Sequence, residues 1–185
     1  MPATTSGTTT TFNFIDGHYT ALLTTTDKSL TGDQSTTTLS DSIALSGSPG
    51  TTFETQRQCT SNTPAIVRFF FVSPRASGST IGNPPAGFYT QFWWSNPIAV
   101  PFATDGDIGS MSAQMSNVAE WSDWNGKRPT DDPSVYTAFE TAIRNVQEIG
   151  LSFGGTCFFE TGVKAIYPAN TPPPYEVFSS TFNES

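Results

Sequence analysis

Charge, histidine, cysteine and long apolar runs are all scarce in this chain, and each shortage closes off a class of protein. Only 13% of its 185 residues are charged, roughly half the usual ~25%. The basic residues are Lys28, Arg57, Arg68, Arg75, Lys127, Arg128, Arg144 and Lys164, with no run longer than Lys127–Arg128. The formal charge is −8 and the isoelectric point is near 4.4. Phosphate backbones and anionic membranes are repelled by such a chain, so no nucleic-acid partner is expected. No apolar stretch approaches the ~18–20 residues of a membrane-spanning helix, so no span is expected either.

The single histidine, His18, is the only base available to a Ser-His-acid or Cys-His arrangement, with Asp16 the nearest acid. It follows Gly17 in a turn-like stretch and reads as a solvated loop residue. Zinc sites draw several His or Cys ligands at short spacing, which this inventory does not supply. Neither a GxSxG elbow nor a Gly-rich phosphate loop is present. No cofactor is expected on these grounds. Calcium is the open case: Asp105-Gly106-Asp107 and Asp131-Asp132 offer hard oxygen ligands in loops, although paired carboxylates there also serve turn chemistry.

Cys59 and Cys157 lie far apart, each beside an expected strand. They are either two buried thiols in a reducing compartment or a pair closing a loop of ~100 residues, worth ~4–5 kcal/mol in the chain-entropy account. Few charges, abundant Ser and Thr and an even cysteine count favour a disulfide and an extracellular location. The opening MPATTSGTTTT has neither a basic nor an apolar leader region. That leaves a cytosolic protein or a mature chain whose leader was removed. Asn183-Glu184-Ser185 fits the glycosylation acceptor pattern.

What the chain has in quantity is threonine (29), serine (21) and aromatic side chains (15 Phe, 5 Tyr, 4 Trp), with 15 Gly and 14 Pro as punctuation. Thr and aromatic residues favour pleated backbone, and the Gly and Pro spacing predicts many short strands joined by turns. Residues 1–11 read as a flexible Thr-rich arm, and 12–185 as one β-sandwich domain. Strands are predicted over Thr11–Asp16, Tyr19–Thr26, Thr36–Leu45, Thr51–Gln56, Ala65–Val72, Gly87–Ser95, Ile98–Phe102 and Ile108–Met115, with Arg75–Gly87 a loop. Asp131-Asp132-Pro133 then opens a short helix near 133–145, with Val135, Phe139, Ala142 and Ile143 at helical spacing. Alternation at Ile149, Leu151 and Phe153 marks a further strand. Gly154-Gly155 reads as a hairpin turn into Thr156–Val163, and Tyr175–Phe182 closes the chain. The whole predicts a mainly β, antiparallel β-sandwich, a jelly roll with one short helix.

In a strict two-residue turn at Gly154-Gly155, Glu160 falls on the inward face of Ile149 and Leu151. A bulge or longer turn instead brings Cys157 and Phe159 inward and releases Glu160 to solvent, and this alternative is preferred because a buried carboxylate is costly.

Alternation over Phe88–Trp94 puts Phe88, Thr90, Phe92 and Trp94 on one face, expected to be the core. Tyr89, Gln91 and Trp93 fall on the other, where rings and an amide suit sugar recognition. On Ile108–Met115, Met111, Ala113 and Met115 point inward and Ser110, Ser112 and Gln114 outward. If these strands are neighbours, their polar faces merge into one surface; alternatively a helix or loop covers that face. A second candidate is Glu120-Trp121-Ser122-Asp123-Trp124-Asn125-Gly126. There one indole should anchor the core and Trp124 should be the more exposed, with Asp123 and Asn125 beside it.

The motifs TQFWWSN (90–96), AEWSDWNG (119–126), VQEIGLSFGG (146–155) and CFFETGV (157–163) resemble the later part of secreted jelly-roll domains of the laminin domain IV and galactose-binding-like kind. The resemblance covers about residues 88–163. It implies an extracellular domain that binds glycans or joins a larger surface assembly.

The expected function is therefore a secreted, non-catalytic carbohydrate-binding domain for cell-wall or extracellular polysaccharide. Its contacts would be Tyr89, Gln91, Trp93, Trp121, Asp123, Trp124 and Asn125. The alternatives are a glycoside hydrolase drawing two acids from Glu148, Glu160 and Asp123, or a structural or adhesive surface protein. Irregular threonine spacing argues against an ice-binding ladder.

Overall fold

Short Thr-, Val- and aromatic-rich segments between Gly and Pro breaks become strands because β-branched and ring side chains fit a half-buried pleated surface. The computed structural model describes residues 3–25, 27–56, 64–74, 87–102, 106–170 and 176–185. In chain order the elements are β1 (Thr4–Ser6), β2 (Thr9–Asn13), β3 (Leu22–Thr24), β4 (Thr38–Ser46), β5 (Thr52–Thr55), β6 (Ile66–Val72), β7 (Phe92–Ser95), β8 (Val100–Pro101), β9 (Gly106–Gln114), β10 (Trp121–Asp123), α1 (Pro133–Ile143), β11 (Glu148–Gly154), β12 (Val163–Ile166) and β13 (Val177–Glu184).

Two antiparallel sheets form the sandwich. One runs β1-β2-β13-β4-β9; the other runs β10-β7-β6-β11-β3, with β8 beside β6, and β5 pairs β12 separately. Setting aside the short β1, β5, β8, β10 and β12 leaves β2-β13-β4-β9 opposite β3-β11-β6-β7. Counted along the chain, that is first-eighth-third-sixth against second-seventh-fourth-fifth, the two-Greek-key arrangement of a jelly roll.

The core between the sheets is aromatic at both ends. Phe12, Phe14, Phe153 and Phe178 interlock at one end, with Phe153 and Phe178 rings 5.2 Å apart. At the other, Phe139 from α1 meets Trp93 at 4.9 Å and Phe71 at 6.1 Å. The helix starts as expected: Asp132 Oδ1 accepts from Ser134 N at 2.7 Å and Pro133 occupies the first turn. It buries Val135, Phe139, Ala142 and Ile143.

Residues 4–13 are not a loose arm. They form the β1–β2 hairpin, with Thr5 opposite Thr10, and β2 then pairs β13. The segment after Phe153 differs too. Gly154 ends β11, and residues 155–162 turn over the outer face of the six-stranded sheet instead of returning as a hairpin strand. A Cβ on Gly154 would lie 2.2 Å from the Phe158 carbonyl oxygen, so glycine is what allows this close approach. Neither proposed register applies: Cys157 is exposed, while Phe159 and Glu160 are half-buried. Residues 75–86 of the predicted Arg75–Gly87 loop lie outside the described residues.

The outer face of the five-stranded sheet is open. Cross-strand register lines up Ser6, Thr9, Thr181, Ser42 and Ser110 across all five strands. Thr11 and Ser179 flank this row on one side, and Ser40 and Ser112 on the other. Among the described side chains, none on this face is charged.

Candidate functional site

The expected polar surface across β7 and β9 does not form, because the two strands belong to different sheets. β9 pairs β4, whereas β7 pairs β6 and β10. The inward set Met111, Ala113 and Met115 is buried as expected, with Ser110, Ser112 and Gln114 exposed.

On β7 the faces are reversed. Trp93 is fully buried in the core against Phe71 and Phe139, and its indole N–H donates to the Thr90 carbonyl at 2.9 Å. Phe92 and Trp94 take the outer face, where Trp94 donates to Ser152 Oγ at 3.1 Å. Tyr89–Gln91 is a 3-10 turn before the strand, so alternation fails there. Gln91 is buried and donates to the Phe88 carbonyl at 2.9 Å. Gln91 and Trp93 thus support the fold and are not surface contacts.

Trp121 is likewise a core residue, its indole N–H bound to the Gln114 carbonyl at 3.0 Å. Asp123 is buried and organises the following loop. Its Oδ1 accepts from Asn125 N at 2.9 Å and Lys127 N at 2.8 Å, and Gly126 takes φ 74° to close the turn. Burial pushes the Asp123 carboxyl up from its ordinary range, against the opposing pull of the Lys127 and Asn125 backbone N–H groups.

This loop presents Trp124, the more exposed of the two indoles at 41%. Its backbone N–H donates to the Tyr89 carbonyl at 3.2 Å, which ties the two loops together. Beneath it, Phe92 and Trp94 lie with ring centroids 5.3 and 5.5 Å away. Tyr89, 38% exposed, stands edge-on to Phe88 at 5.4 Å. One side of Trp124 is therefore fixed by packing while the ring stays accessible beside Tyr89 and the exposed Asn125. The residues that the sequence reading missed are the supports, Phe88, Phe92 and Trp94. Their signal was there: five aromatic residues within Phe88–Trp94 exceed what one face of a short strand can bury.

The aromatic layer continues across the sheet. Trp94 meets Phe159 at 6.1 Å, and the Arg68 guanidinium sits 4.2 Å over the Phe159 ring while donating to the Gly155 carbonyl at 3.0 Å. Burial lowers the Arg68 pKa to about 10. Residues 155–162 thus cap this part of the outer face and make it a second, smaller core.

The other candidates are structural or outside the described residues. Asp131 and Asp132 bond within the turn before α1 and at its cap. Asp105 lies outside the described residues, as does the side chain of Asp107. Among the described residues, no three His, Cys, Asp or Glu side chains converge for a metal ion. His18 is exposed in a turn. Cys157 is not a free thiol; Cys59 lies outside the described residues.

Comparison with protein-family models, with curated proteins and with solved structures found no match.

Proposed function

We propose that this chain is a secreted, non-catalytic carbohydrate-binding domain of the kind its laminin domain IV and galactose-binding-like resemblance implies. Its partner is a cell-wall or extracellular polysaccharide. The observation that carries the reading is the pairing of exposed Trp124 and Tyr89 on loops joined by a main-chain hydrogen bond. A ring held by its neighbours and still 41% exposed offers apolar surface to sugar C–H groups at little entropic cost, and Asn125 supplies amide donors and an acceptor beside it. Gln91, Trp93, Trp121 and Asp123 act by holding this pair in place. The hydrolase alternative loses ground because the Asp123 Oδ1 is committed to the backbone of its own loop. A Cys59–Cys157 disulfide belongs to the same extracellular reading, and alkylation before and after reduction tests it by mass.

The functional test is depletion of the purified protein by insoluble chitin, cellulose and β-glucan. Saturable loss on one polymer, abolished by Trp124→Ala and weakened by Tyr89→Ala with folding intact, is the expected result. No depletion on any polymer overturns it. Weight then moves to the structural or adhesive role, for which the row of Ser and Thr side chains across the outer face of the five-stranded sheet is the supporting observation.

A further inference from the structure

A second site is independent of the aromatic surface. Where β1, β2 and β13 face β3 and β11, the sheets part and leave a cleft of about 780 Å³. That volume is within the range of small-molecule pockets, ~300–1,000 Å³. Its apolar surface comes from Leu23, Leu30, Ile149, Leu151 and Phe182. Ile149, Leu151 and Leu30 are buried residues that continue the main core, so the cleft opens directly onto it.

The charged groups at the cleft are of one sign, set among the hydroxyls of Thr5, Thr8, Thr10, Thr24 and Thr25 and the Asn183 amide. Asp27 and Glu184 stand at its rim, bridged by the Ser29 hydroxyl, which lies 2.9 Å from Asp27 Oδ1 and 3.0 Å from Glu184 Oε1. Deeper in, Ser180 donates its hydroxyl proton to Asp41 Oδ2 at 2.7 Å, which leaves the Ser180 oxygen as an acceptor. Asp41 is 2% exposed and its Oδ1 has no hydrogen-bond partner. Among the described lining residues there is no Lys, Arg or His.

We infer that this inter-sheet cleft binds a cationic amphiphile: a primary amine on an alkyl or aromatic body, with the body between the sheets and the ammonium at Asp27 and Glu184. Apolar walls reward burial of the body, at about 25 cal/mol per Å². Two rim carboxylates favour an ammonium and repel a carboxylate or phosphate head. A neutral body alone would cover the apolar surface but leave the two carboxylates to water.

The test uses the neutral fluorescent probe N-phenyl-1-naphthylamine on the full chain, with dodecylamine and dodecanoate as competitors below their micellar concentrations. The expected result is saturable probe binding, displaced by dodecylamine at about tenfold lower concentration than by dodecanoate, as two partly exposed charge interactions supply. Thr5→Trp, on the exposed edge strand at the cleft mouth, should abolish probe binding without unfolding the protein. Asp27→Asn with Glu184→Gln should keep the probe and erase the preference for the amine. Probe binding that does not saturate, equal displacement by both competitors, or unchanged affinity in Thr5→Trp overturns the inference. The polysaccharide-depletion result is read separately, because Trp124 and Tyr89 do not line this cleft.

Discussion

On the outside of the five-stranded sheet, Ser6, Thr9, Thr181, Ser42 and Ser110 cross every strand in contact with solvent. On the outside of the six-stranded sheet, Arg68, Phe70, Trp94 and Ser152 are all buried, beneath Phe159 and the turns that carry it. Both sheets obey the same rule, that successive side chains point to opposite faces. The outcome differs because only one of the outer faces is covered. An uncovered sheet keeps its pattern, as in β4, where Leu39, Asp41, Ile43 and Leu45 are buried and the residues between them are not. A covered sheet loses it: six of the seven residues of β6 and of β11 are buried.

The largest test of this contrast is Trp93→Ala. It removes a fully buried ring from the inner core and should lower stability by ~3–5 kcal/mol in denaturant titration. A cost below ~1 kcal/mol would return Trp93 to the surface. Next comes Asp41, the one carboxylate of β4 on the inner face. Burial raises its pKa to about 6, above the ~3.9 of an unfolded chain. The folded state therefore binds the extra proton. Its contribution is greatest below pH ~4 and falls by up to ~3 kcal/mol as pH rises through 6. Subtracting the pH-stability curve of Asp41→Asn from that of the parent should isolate this slope; parallel curves would remove Asp41 from the account.

Gly154→Ala sharpens the contrast on the covered side. Its Cβ meets the Phe158 carbonyl, so residues 155–162 must shift, at ~1–3 kcal/mol. Trp94 should then become wetter, seen as a red shift in tryptophan emission, and an unchanged spectrum would mean that the cap stays seated. The smallest effect is on the open face. Ser42→Lys should change stability by no more than ~0.5 kcal/mol, and a larger loss by thermal melting would show that something covers that face.

The same contrast explains what was legible. Sandwich, helix and most strands could be read because Val135, Phe139 and Ala142 keep helical spacing and β4 and the Ser110–Gln114 part of β9 alternate cleanly. Trp124 could be singled out as the exposed indole because Asp123, Asn125 and Gly126 mark a turn. The facing of Trp93 and Trp94 could not be read, since both rings are buried and only tertiary cover distinguishes core from second core. Glu160 and Phe159 were misplaced for a related reason. Gly154-Gly155 looks like a two-residue turn, yet Gly154 serves close backbone contact instead. The cleft left no local signal, because Leu23, Ile149 and Phe182 come from three distant strands.

The five-stranded sheet's open face holds no described ionisable side chain, although the chain as a whole carries −8. Most of the repulsive field therefore arises from other parts of the molecule, with Asp107, in register with Ala44, the acidic position adjoining this face. Two copies approaching through this face meet a layer of bound water rather than matching charges. An encounter there should respond to solutes that alter hydration and be eased by added salt, which screens the repulsion between two copies that each carry −8.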